Sequence, residues 1–190
     1  MKSLSTLIER QALKTKLLLG FLTLMMLAMA IGVDALIGQR LLGNEIQKMY
    51  EIELLGVSAI KDAQIHYIHI ARIARQYVLA PDAAERDRLL KQLGEAEAGL
   101  KTAIEAGRER LMRNESRAIL AKFEESYALY RRNIDRLITL VRQGKQAAAI
   151  AYVGGQDFQQ PGIVANAHLE ELVKLKSTHA HEAVNSAIAS

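Results

Sequence analysis

An uncharged apolar run with a basic flank passes without a break into a long amphipathic helical pattern, and this limits the fold more than any other feature of the chain. Leu17 to Val33 carries no charge, and Asp34 alone interrupts the apolar character before Ile37. Lys2, Arg10, Lys14 and Lys16 precede the run, against one acid, Glu9. About 20 apolar residues cross a bilayer core as a helix, and a basic N-terminal flank keeps that end in the cytoplasm. The pattern predicts a cytoplasmic N-terminus over 1–16, a transmembrane helix over 17–37 and a domain over 38–190 on the other side of the membrane. A cleaved leader is the rival reading, because Ala28-Met29-Ala30 has the small-x-small form of a signal-peptidase site. The apolar pattern runs on through Ile31, Val33, Leu36 and Ile37, which favours the retained anchor.

Ala, Leu, Ile, Glu, Lys and Arg dominate the composition, with two prolines, Pro81 and Pro161, and no tryptophan. Such a balance favours long helices. The formal charge of +4 comes largely from the first sixteen residues. What remains is near neutral and offers no basic footprint for nucleic acid. The absence of cysteine excludes disulfides, thiolate metal sites and c-type haem attachment.

Three breaks divide the domain. Proline disfavours helix at the residue before it, so Ala80-Pro81-Asp82 ends one segment, and Asp82 can cap the next. Asn114 can end a helix or cap one, and Gly144 is suited to a helix C-terminus. The expected helices run over about 38–80, 83–112, 115–143 and 146–189. In the first, Leu42, Ile46, Met49, Ile60, Ala63, Tyr67, Ile70, Ala74 and Tyr77 recur at four-three spacing, with Glu53 and Gly56 interrupting. Leu93, Ala96, Leu100, Ala103, Gly107 and Leu111 continue the pattern in the second, and Leu120, Phe123, Tyr127, Tyr130, Ile134, Leu137 and Val141 in the third. This alternation places each seam on one helix face, and short connections make neighbouring helices antiparallel. The fold class is all-α: an up-down-up-down four-helix bundle whose first helix continues from the membrane span.

The first helix has a second apolar face, formed by Tyr50, Leu54, Val57, Ile65, Ile68 and Leu79. A helix with one set of neighbours needs one such face, so self-association into a homodimer is expected through the other. Tilted packing against the second and fourth helices is the alternative cover. Arg72 and Arg75 lie on this second face, where their guanidiniums suit bidentate capture of a carboxylate. The fourth helix opens with Gly154, Gly155, Pro161 and Gly162 in an otherwise helical pattern. Bent backbone there could free polar groups for a ligand, and in a continuous helix Tyr152, Gln156 and Gln159 share a face. A simple kink is the competing reading.

With these residues in view, the chain resembles the N-terminal part of bacterial methyl-accepting chemotaxis proteins, a first transmembrane helix followed by a four-helix-bundle ligand-binding domain. The local likeness lies in Arg75-Gln76-Tyr77-Val78-Leu79-Ala80 with Asp82-Ala83-Ala84-Glu85-Arg86, and again in Val141-Arg142-Gln143-Gly144-Lys145-Gln146-Ala147-Ala148. The resemblance implies a chemoreceptor sensory region in the bacterial inner membrane, periplasmic in its bundle and dimeric, signalling across the membrane. In the aspartate-receptor branch an anion binds between arginines of the first helix and the start of the fourth. By that likeness Arg72, Arg75, Tyr152, Gln156 and Gln159 would hold a small anionic ligand such as an organic acid or amino acid. The family also implies a second span and a signalling region beyond Ser190.

Catalysis finds little support. His66 and His69 lack a third ligand within their turn and read as surface residues, while His168, His179 and His181 are scattered. No metal, cofactor or nucleophile–base pair is expected, and the chain is not read as an enzyme. A sensory domain of a histidine kinase or cyclic-nucleotide enzyme, or a membrane-anchored helical protein-interaction module, are the alternative functions.

Overall fold

The computed structural model describes residues 14–15, 17–33, 47 and 49–189. The chain divides into two compact units, Met1–Gln47 and Lys48–Ser190. In the first, residues 17–33 form a helix whose large apolar side chains are exposed from Leu17 to Val33. Among the described residues no helix is long and apolar enough to cross a membrane. Positions 34–37 of the expected span lie outside the described residues, as do Leu42, Ile46 and the side chain of Tyr50.

The second unit is all helical among its described residues. A π-helical turn, Met49–Leu54, leads into α1 (Leu55–Leu79), α2 (Ala83–Arg108) and α3 (Asn114–Arg142), then a short α4 (Gln146–Gly154) and a long α5 (Gln156–Ala189). Helix ends follow local chemistry. Ala80 is extended ahead of Pro81, and Asp82 accepts the Glu85 amide at 2.8 Å to start α2. Residue 114 opens α3, with Arg113 extended before it and no side-chain cap. Gly144 takes φ 72°, the left-handed geometry that ends α3 at little steric cost. The Lys145 amide then reaches back to the Leu140 carbonyl at 3.0 Å. The Gln146 side-chain amide donates to the Val78 carbonyl, closing the end of α1.

The four long helices pack as a bundle around one core. Ile60, Ala63, Tyr67, Ile70, Ala74 and Tyr77 of α1 are buried, as are Leu93, Ala96, Leu100 and Ala103 of α2. So are Leu120, Phe123, Tyr130, Ile134, Leu137 and Val141 of α3. Full burial of such a side chain contributes roughly 1.5–3 kcal/mol. α1 packs closely against α2 and α5, and α3 against α5, whereas the backbones of α2 and α3 are much more loosely apposed. Long side chains span that gap, in the ion pairs Arg108–Glu124 and Arg131–Glu97. The second helix stops at Arg108 rather than near 112, because the chain turns there and buries Leu111 completely.

The fourth segment departs from the simple expectation. It breaks at Gly155, whose backbone is extended (φ −80°, ψ 155°), and Pro161 lies inside α5 without ending it. Proline removes the amide that would bond the carbonyl four residues earlier, here Asp157. The Asn133 side chain of α3 donates to that carbonyl at 2.7 Å. The backbone acceptor expected to be free for a ligand is therefore already bonded.

Candidate functional site

A hollow of about 340 Å³ lies between α1, α3 and α5, lined by Tyr67, Ile68, Arg72, Arg75, Tyr130, Gln159, Gly162 and Asn166 among others. Helical spacing explains the α1 contribution: Ile68, Arg72 and Arg75 follow one another at four- and three-residue steps, so they share a face. No lining residue is acidic. Arg75 donates to its own helix at the Ala71 carbonyl, 3.2 Å away. Neither arginine forms an ion pair with a carboxylate among the described residues.

The back wall is aromatic. The Tyr67 ring lies 5.9 Å from Tyr130, 6.1 Å from Tyr127 and 6.2 Å from Phe123, and Tyr130 meets Phe158 at 5.3 Å. The Tyr67 hydroxyl donates to the Gly162 carbonyl at 2.5 Å, fixing α5 against α1. Gly162 is required by this approach, since a Cβ there would come within 2.9 Å of the Tyr130 ring. Burial pushes the Tyr67 and Tyr130 phenols well above their usual range, and nearby Arg75 opposes the rise in both. At neutral pH both hydroxyls thus stay protonated while a guanidinium sits within electrostatic reach of them. Asn166 donates to Glu170 at 2.6 Å, but its buried side-chain oxygen has no hydrogen-bond partner.

Of the five ligand residues expected from sequence, the fold brings together Arg72, Arg75 and Gln159. The Gln159 amide also caps α4 at the Gly154 carbonyl, 3.0 Å away. Tyr152 and Gln156 do not line the hollow. The break at Gly155 separates them from the Gln159 face; Gln156 is exposed, and Tyr152 packs on Phe158 with Arg136 over its ring at 4.9 Å. Sequence reading missed Tyr67, Tyr130 and Asn166 as wall residues. The tyrosines were legible only as seam positions, and Asn166 had no pattern to mark it.

Two other hollows differ in character. One of about 400 Å³ between α2 and α3 is walled by Leu100, Ile104, Phe123 and Tyr127, and its charged rim is largely paired within the protein. Another, about 310 Å³, is lined by His66, His69, Gln92, Glu95 and Arg72, which thus borders both this hollow and the first. Among the described residues no three His, Cys, Asp or Glu side chains are grouped to hold a metal ion. The first hollow is the one of these three that gathers two arginines and no acidic side chain.

The expected dimer face is open in the single chain: Leu54, Ile65, Ile68 and Leu79 are 49%, 51%, 52% and 73% exposed, and Val57 is half-buried.

Comparison with known proteins agrees with this architecture. The family model described as a four helix bundle sensory module for signal transduction matches residues 11–190. A solved structure, the periplasmic sensor domain of a sensor histidine kinase, superposes with a TM-score of 0.63 at 17% identity, covering 75% of this chain and 94% of its own. At that identity the likeness is one of fold. No curated protein matches the chain.

Proposed function

The chain belongs to the family of four-helix-bundle sensory modules for signal transduction, and from that premise we propose that it is the sensory region of a bacterial chemoreceptor that binds a small anion in the hollow at Arg72 and Arg75. The observation that carries the reading is the pair of guanidiniums without counter-ions in a concave site beside an open apolar face. Both arginines are exposed in the single chain; once a symmetry mate covers the face, clustered cations there become costly unless an anion compensates them, and each can hold a carboxylate by charge-assisted hydrogen bonds. Gln159 and Asn166 add polar side chains from α5, which suits a ligand that carries hydrogen-bonding groups besides its carboxylate, such as an amino acid or hydroxy acid.

The proposal includes a homodimer through Leu54, Val57, Ile65, Ile68 and Leu79, with Tyr50 continuing the face. A symmetry mate on this face would cover apolar surface and close the hollow from the open side. The helices run antiparallel in succession, which is supported by matched pairs such as Gly107 with Ile60, Gly56 with Lys176, and Gly162 with Tyr67. The basic flank and apolar run of residues 1–37 serve as the inner-membrane anchor, leaving the bundle in the periplasm. Signalling needs only that the anion bind two arrangements of α1 and α5 with different affinity.

The test uses the full chain in lipid nanodiscs: a thermal-shift screen of amino and organic acids, then calorimetry on the best binder. Arg72→Ala and Arg75→Ala should each weaken binding by about 2–4 kcal/mol, or roughly 30- to 1000-fold. Unchanged affinity in both variants removes the site and leaves the helical interaction module as the better reading.

A further inference from the structure

Far along α5 from the arginine hollow, a lysine is buried where a coiled-coil seam calls for an apolar residue. Lys176 is 2% exposed. Its Nζ donates to the Glu53 carboxylate at 2.7 Å, the Arg110 carbonyl at 3.1 Å and the Ile52 carbonyl at 3.2 Å. One ammonium therefore uses its three protons on three acceptors, two in the segment of Ile52 and Glu53 and one at Arg110. Gly56 makes room for it, since a Cβ at that position would stand 2.8 Å from Lys176 Cε and 3.3 Å from Arg110 Cβ. Arg110 adds a further tie, donating from Nε to the Glu51 carbonyl at 3.1 Å.

Ile52 and Glu53 lie in the π-helical turn Met49–Leu54. A π turn bonds five residues ahead and an α turn four. Where one passes into the other, the backbone has one carbonyl more than it has amides to bond it. Short π segments inside helices are rare because they forfeit regular bonding, and something outside the helix must compensate. Here the compensation comes from side chains of two other segments, Lys176 and Arg110. Both engage carbonyls of the π turn itself.

We propose that the Lys176 cluster is a conformational lock: it holds Met49–Leu54 in the π form, and withdrawing Lys176 lets the turn reset to α-helix. Resetting removes the extra residue from the turn. The start of the turn then rotates by about 100° and moves by about 1.5 Å relative to α1, one residue's worth of helix. In α-helical register position 49 falls on the line of Gly56, Ala63 and Ile70, all buried. Position 51 falls on the line of Ser58, Ile65 and Arg72, all exposed. The wider π turn, bonded five residues ahead instead of four, sets the backbone of position 49 off that line. Because Lys176 rides on α5, a small shift of α5 along its axis is enough to lengthen all three of its hydrogen bonds together. The lock does not depend on what occupies the arginine hollow.

The native chain has no cysteine, so single cysteines report cleanly. Met49→Cys and Glu51→Cys are made separately in the full chain in membranes and labelled with a polar maleimide. In the native background position 51, which is exposed, labels readily and serves as the reference for 49. In Lys176→Met, and independently in Gly56→Ala, the ratio of labelling at 49 to labelling at 51 should fall at least roughly tenfold from its native value. Gly56→Ala crowds the lysine's Cε and Nζ and displaces them without removing the charge, which separates the lock from a general effect of charge loss. An unchanged ratio of labelling at 49 and 51 in both variants overturns the proposal. So does loss of helical structure by circular dichroism in both, because a switch requires two folded states.

Discussion

The two faces of α1 carry similar residues and meet opposite fates. On one, Ile60, Ala63, Tyr67, Ile70, Ala74 and Tyr77 are at most 3% exposed. On the other, Leu54, Ile65, Ile68 and Leu79 are about half exposed or more. Periodicity alone marks both as core, since hydropathy records that a residue prefers to leave water and not which neighbour removes it. The difference teaches that an α1 seam satisfied within one chain is a folding element, while an equal seam left open is an element for assembly.

Substitution on each face sharpens that contrast, and the largest effect belongs to the closed one. Ile70→Ala empties a fully buried position and should cost about 2–5 kcal/mol in denaturant unfolding. A loss below about 1 kcal/mol would break the comparison. Tyr67→Phe, at the edge between core and hollow, removes the hydroxyl bond to Gly162 and keeps the ring packing. It should cost about 0.5–1.5 kcal/mol, with the aromatic near-ultraviolet signal retained. The smallest effect belongs to the open face: Ile68→Lys should change unfolding stability by about 0.5 kcal/mol or less while abolishing the dimer in analytical ultracentrifugation. If Ile68→Lys melted like Ile70→Ala, the two faces would not be different in kind.

The buried seams of α1, α2 and α3 were legible because their spacing is regular and their residues apolar. Other features depend on partners distant in sequence. Asn133 has the look of a surface residue on α3, and only the fold shows it bonding the carbonyl that Pro161 leaves without an amide. The break at Gly155 rather than Pro161 follows from the same compensation. It is also why Tyr152 and Gln156 fall outside a hollow that Arg72, Arg75 and Gln159 share. Glu53 and Gly56 did leave a mark, as the two faults in an otherwise regular first seam. Their meaning lies in Lys176, more than a hundred residues later in the chain.

The gap between α2 and α3 gives the bundle two sides that answer differently to ionic strength. Across the gap the helices are joined by Arg108–Glu124 and Arg131–Glu97, pairs that keep partial contact with solvent. Salt screens such charges over a Debye length of about 8 Å at physiological concentration and about 3 Å at 1 M. On the other side α1 and α5 meet through buried apolar groups, whose association added salt does not weaken in this way. α1 with α2 and α3 with α5 are the most extensive helix pairs, and one buried core joins them. Concentrated electrolyte weakens the ion pairs along the α2–α3 edge and leaves the apolar core intact.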